Sequence, residues 1–259
     1  MTVPSPALSL AGIDTAALLL SQASRVVVLC TVSLDGANVQ SAAARSDRGL
    51  WRNLAHVGQW RAPVRTAERP HSQWARQRLA QTASARPGAA HVALTQLQTL
   101  LRGSKIVTDG SDLLLEAAGA RRVWHLHGHV PGERCTRCAA VRVRQPQGAS
   151  APCQRCGATR LEDWPGESRG NPPQQAWTHA LHSLRACDAV LWLADEDMVY
   201  PAAEFAYAAT AHGAKLVLAS RTPTGLDHLA AATLRGGPRE TLTALAGALS
   251  AARMGGQAA

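Results

Sequence analysis

Two cysteine pairs, Cys135/Cys138 and Cys153/Cys156, follow closely on the tripeptide Leu126-His127-Gly128. Thiolates with two residues between them suit a tetrahedral site, because a tight turn lets both sulfurs reach one ion, and residues 139–152 are enough chain for a small ribbon to bring the second pair round. Four ligands leave no open coordination position, so zinc bound there would hold a small module together rather than activate water. The spacing also admits two disulfides or four free thiols, and zinc is the reading it favours. Cys30 and Cys187 lie in apolar segments and read as small core residues. Reduced thiols agree with a zinc site in the cytosol.

A chain of 259 residues can bury one sizeable core and carry a smaller appended module. No apolar run approaches bilayer-spanning length, the longest lying around Val26 to Val32, and the N-terminus carries no export signal. The expectation is a cytoplasmic protein with no membrane partner. A formal charge of +9 and a pI near 10.1 raise nucleic-acid binding as a question. The charge is spread arginine with only Lys105 and Lys215 as lysines, in an alanine-rich background, which reads as a solvated face. Nucleic acid is not the expected partner.

Arg25–Leu29 is a β-branched run suited to a doubly covered parallel strand, with further strands expected at Ile106-Val107, Val123–Leu126, Ala189–Leu193 and Lys215–Ala219. Helices are expected over His91–Leu101, up to Ala186, over Pro201–Ala211 and over Arg239–Ala251. Between Val130 and Gly170 the chain has cysteines and little periodicity, as a metal-held module without a large core should. The expected fold is α/β, a Rossmann-like doubly wound parallel sheet with an inserted zinc-ribbon module and a short helical insertion. Its parts are a large domain from 8–51, 86–129 and 172–255, the helical insertion over 52–85, and the zinc-binding module over 130–171.

Several stretches in order resemble the sirtuins, NAD-dependent protein lysine deacylases: VVVLCTVSLDG, AAARSDRGLW, ARPGAAHVAL, KIVTDGSDLLLEAAG, VWHLHGH, the two CxxC pairs, WPGE, VYPAAEF and RGGPRETLTAL. The resemblance implies that His127 acts as general base on a ribose hydroxyl, that Arg45 and Asp112 contact the cofactor, and that the four cysteines hold structural zinc. It implies acylated-lysine proteins or peptides as partners. An imidazole suits the assigned task because its pKa lies near working pH. His125 and His129 receive no role and read as surface or packing residues.

The cofactor segments depart from the family pattern in three places. Thr31, Val32 and Ser33 stand where glycines let backbone N–H groups approach a pyrophosphate. In the nicotinamide loop, Asp109 and Gly110 replace a glutamine and an asparagine, leaving Asp112 as the match. Ala194-Asp195-Glu196, followed by Asp197, replaces a Gly-Thr-Ser stretch. A carboxylate about 5 Å from a phosphate charge costs roughly 3 kcal/mol at an effective dielectric near 20, before solvent and counterions reduce it. On the substrate side, Glu162, Asp163 and Pro165 stand where an apolar acyl channel is expected, while Trp164, Gly166 and Glu167 are kept. The expectation is a sirtuin-like protein with NAD binding and catalysis weakened or lost, serving as a binding or regulatory module. The alternative is an active deacylase using His127.

Overall fold

The computed structural model describes residues 10–32, 34, 85–101, 103–110, 112–126, 129, 132–143, 151–164, 173–194 and 202–255. In chain order these form α1 (Leu10–Gln22), β1 (Val26–Cys30), α2 (Ala89–Leu100), β2 (Lys105–Thr108), α3 (Leu114–Ala117) and β3 (Val123–His125). Next come β4 (Gly132–Cys135), β5 (Val141–Val143), β6 (Leu161–Trp164), α4 (Pro173–Arg185), β7 (Ala189–Leu193) and α5 (Ala202–Ala211). The series ends with β8 (Lys215–Ser220), β9 (Ala230–Arg235) and α6 (Pro238–Gly255). The helical insertion expected over 52–85 lies outside the described residues, apart from residue 85.

Six strands form one sheet in the order β3-β2-β1-β7-β8-β9, and every pairing in it is parallel. All residues of β1 and β7 are buried, as strands covered on both faces must be. Alternation along the strand then sorts the side chains between two cores. Val26, Val28 and Cys30 join Ala189, Leu191 and Leu193 on the face that also gathers Ile13, Leu94 and Leu245 from α1, α2 and α6. Val27, Leu29, Val190 and Trp192 point the other way, to Ala180, Leu184 and Phe205 of α4 and α5. Each fully buried leucine in these layers contributes about 1.5–3 kcal/mol relative to exposure. This is the doubly wound α/β arrangement expected from the sequence.

Some boundaries shift. β1 begins at Val26 rather than Arg25, whose guanidinium turns outward to Asp188 at 2.9 Å, and β3 ends at His125 rather than Leu126. The cysteine segment, expected as a zinc ribbon with little periodicity, has no strands assigned to it in the sequence reading. β5, β4 and β6 form a three-stranded antiparallel sheet there. Its strands lack an apolar alternation because charged pairs sit directly across from one another, Glu133 opposite Arg142 and Arg134 opposite Glu162. Its apolar contacts are few: Leu113 and Val143 are buried, with Val141 and Trp164 packed on them. Gly132 sits tightly at this seam: a Cβ there would lie 2.7 Å from Leu113 Cδ1 and 3.3 Å from Trp164 Cε3, so a larger residue requires those side chains to move.

Candidate functional site

Strand order in the large sheet reverses between β1 and β7, and in open α/β sheets the crevice outside the carboxyl ends of such a pair is where ligands bind. A small, shallow depression lies there, with Val32, Leu193, Ala194, Ser220, Arg221 and Thr241 among its lining residues. Helix α6 begins at Pro238 on its rim. The turn leaving β1 is filled by side chains. The Thr31 hydroxyl accepts a hydrogen bond from Trp192 Nε1 at 2.9 Å and donates to the Leu193 carbonyl at 3.3 Å. Thr31 N–H donates to the same carbonyl at 3.0 Å. Val32 packs against the α1–α2–α6 core. Among the described residues, the only non-glycine residues with positive φ are Arg122 and Ala139, so neither Thr31 nor Val32 takes the left-handed geometry open to glycine.

The loop after β2 borders the same sheet end. Its Asp109 N–H donates to the Cys30 carbonyl at 3.3 Å, and Gly110 N–H donates to Thr108 Oγ1 at 3.0 Å. Asp112 is buried, and its Oδ1 accepts the Leu114 N–H at 3.0 Å, an Asx-type turn that starts α3. Burial, first, and then the neighbouring Asp109 carboxylate push the Cys30 thiol up to about 12. Burial likewise raises Cys187 to about 11. Both are inert core thiols at neutral pH, as the sequence suggests.

β3 carries the chain to the Leu126-His127-Gly128 tripeptide. Trp177 on α4 donates from Nε1 to the Leu126 carbonyl at 3.0 Å and stacks on Phe205, fixing that strand exit. His127 itself, Arg45 and the acids Asp195, Glu196 and Asp197 lie outside the described residues. Asp112 is therefore the one residue of the expected His127, Arg45 and Asp112 group whose surroundings are described.

Sequence reasoning assigned no role to His125, two residues before His127. It is a packing residue, 2% exposed, with Nδ1 2.5 Å from the Gly110 carbonyl and Nε2 2.8 Å from Glu116 Oε1. Period two was the available signal: His125 shares a strand face with buried Val123. His129, half-buried, lies between His125 and Trp164, with ring centroids 5.2 and 5.3 Å from theirs. Glu162, read as an acid at an acyl channel, is taken up by Arg134 at 2.6 Å.

The four cysteines converge. Their sulfurs all lie within 4.8 Å of one another, with Cys135 to Cys156 and Cys138 to Cys153 each at 3.6 Å. Ligands about 2.3 Å from one tetrahedral zinc stand about 3.8 Å apart, whereas a disulfide needs about 2.05 Å, so the set fits a single shared ion. Two matching turns build it. Ala139 N–H donates to the Cys135 carbonyl and Gly157 N–H to the Cys153 carbonyl, while Cys135 and Cys153 N–H groups bond Ala140 and Ala158. Each turn passes through a left-handed residue, Ala139 at φ 57° and Gly157 at φ 70°. The Cys138 N–H holds the Cys135 thiol down at about 6. Although the Ala140 N–H favours its thiolate, burial and the neighbouring sulfurs push Cys138 up to about 11. Such crowding is what a divalent cation relieves.

Among the described residues, no helix is long and apolar enough to cross a membrane. The profile of the Sir2 family matches residues 41–201, more than half of the chain. A curated relative, the NAD-dependent protein deacylase of Thermus thermophilus, is 32% identical over 240 residues, covering 87% of this chain and 91% of its own. Among solved structures, one described as the structural basis for the mechanism and regulation of Sir2 enzymes aligns at TM-score 0.64 and 23% identity, over 94% of this chain and 98% of its own. Another, Sir2Af2 bound to a myristoylated histone peptide, aligns at 0.59 and 22% identity, over 95% and 99%. With its strand order, inserted cysteine module and these likenesses in agreement, the chain belongs to the Sir2 family, the sirtuins.

Proposed function

We propose that this chain is a sirtuin whose scaffold is kept and whose use of NAD is weakened or lost, leaving a binding or regulatory role toward acylated-lysine proteins or peptides. The observation that carries this reading is the filled turn after β1. Thr31 is locked to Trp192 and Leu193, and Val32 forms a wall of the depression, where a glycine turn would leave room for phosphates. NAD does not fit residues of this kind easily, and the sequence that follows β7 carries three acids, Asp195, Glu196 and Asp197, whose charge has the wrong sign for a pyrophosphate.

Structural zinc on Cys135, Cys138, Cys153 and Cys156 belongs to the proposal, as does a cytoplasmic site of action. The same holds for a division into a large domain (8–51, 86–129, 172–255), an insertion (52–85) and a metal module (130–171). Bound zinc would supply a closed, purely structural cross-link. The second reading is an active NAD-dependent deacylase with His127 as general base and Arg45 and Asp112 as cofactor contacts. It is favoured by the name of the Thermus relative and by the retention of those three residues.

Thermal denaturation of zinc-loaded protein in a NAD titration separates the two. A ligand at one hundred times its Kd stabilises by about 2.7 kcal/mol, so a working site with micromolar affinity gives a clear shift at millimolar NAD. The expected result is none. A saturable upward shift in midpoint restores the deacylase reading.

A further inference from the structure

We propose that His125 is a positioning residue whose imidazole ties the loop after β2 to helix α3, and so sets the geometry of the segment that carries Asp112. The Gly110 carbonyl can only accept, so Nδ1 bears a proton in the 2.5 Å contact. On the other side Nε2 faces Glu116 Oε1 at 2.8 Å, and the two side chains are 2% and 3% exposed. One ring thus spans two elements, donating to the loop and to α3. The sheet holds the start of the loop through the Asp109 N–H to Cys30 carbonyl bond, and the ring adds a tie farther along, at Gly110, to α3.

Stability is a poor explanation for the pair. A buried ion pair loses in desolvation much of what it gains in attraction, and here Glu116 Oε2 is also buried with no hydrogen-bond partner among the described residues. An apolar pair would serve a core as well or better. What an apolar pair cannot do is hold the Gly110 carbonyl at a set distance and direction. The bridge therefore fixes where the loop sits.

Among the described residues, the titratable groups facing the ring are Glu116 from α3, Asp112 from the loop, and His129 from the segment after β3. Burial alone would push the His125 pKa down. The Glu116 carboxylate, through charge and hydrogen bond, and the Gly110 carbonyl outweigh it and hold the value above 6.5. A raised histidine pKa means the stabilising contribution is complete below the unfolded value of about 6.5 and is lost as pH rises through the folded one. On the alkaline side a bare Nε2 lone pair faces a carboxylate, and the tie to α3 opens.

Nitrogen-15 NMR of histidine-labelled, zinc-loaded protein tests this without any dinucleotide, so its outcome and that of the NAD titration are separable. Both His125 ring nitrogens are expected to be protonated at pH 6.5, with a midpoint above 6.5 that falls in Glu116→Gln. Amide exchange at Gly110 and Leu114, corrected for intrinsic rate, is expected to quicken about tenfold or more through that titration and in the variant, with Leu191 and Val217 unchanged. A His125→Leu/Glu116→Leu protein should keep its melting temperature and still show the quickened loop. Titration of wild-type His125 at or below 6.5 overturns the proposal, even if no variant folds. So does Gly110 and Leu114 protection that stays constant across pH.

Discussion

The two sheets of this molecule are held in opposite ways. The six-stranded sheet is buried on both faces by separate helix layers, so many residues share the work and most of them are interchangeable apolar side chains. The three-stranded sheet buries little, its Val143 packing on Leu113 from the segment before α3, and carries charged pairs across its strands and, as proposed, zinc on its four sulfurs. Redundancy protects the first. The second has a single point of failure.

Metal removal should expose that difference most strongly. With zinc on the four sulfurs as proposed, treating the protein with a strong chelator, or replacing Cys138 by serine, should remove a folding contribution on the order of 10 kcal/mol from the small sheet. Exchange at Glu133 and Arg142 should then approach unfolded rates while β1, β7 and β8 stay protected. Persistence of small-sheet protection in metal-free protein would show that its apolar contacts suffice.

A smaller effect belongs at the seam between the sheets. Gly132→Ala forces a methyl to within 2.7 Å of Leu113 Cδ1, and overpacking of this kind costs about 1–3 kcal/mol. Chemical denaturation followed by tryptophan fluorescence should report it, with partial recovery when Leu113→Val is added. An unaltered midpoint would mean that Leu113 and Trp164 yield freely, and that the seam is looser than the packed cores.

The gentlest change sharpens the comparison within the small sheet itself. Ala139 and Gly157 occupy equivalent left-handed positions after the two cysteine turns, and the alanine bears a cost that the glycine avoids. Ala139→Gly should raise the melting temperature of the zinc-loaded protein by the equivalent of about 1 kcal/mol. A fall in melting temperature would show that the unfolded-chain entropy gained with glycine outweighs relief of strain at this position.

Legibility in the sequence follows the same divide. β1, β7 and β8 stand out as β-branched and leucine runs because burial on both faces demands them. The sequence reading singles out neither α1 nor β9, since alanine-rich stretches such as AAATLR carry little β-branched or periodic signal. β4, β5 and β6 read as GERC, VRV and LEDW, and their pairing follows from cysteine turns and cross-strand charge rather than from any period. The cysteine cluster itself was fully legible, because ligand spacing is a local constraint. The His125–Glu116 bridge was not, because an ionisable residue in a strand ordinarily marks a solvent face, and only the folded partner shows otherwise.

The seam at Gly132 carries a consequence for descent. With so little space beside its α-carbon, residue 132 grows across generations most readily where position 113 or 164 shrinks in compensation. In a lineage of such chains these three sites should drift as a linked set, tying the history of the segment beside Asp112 to that of the cysteine ribbon.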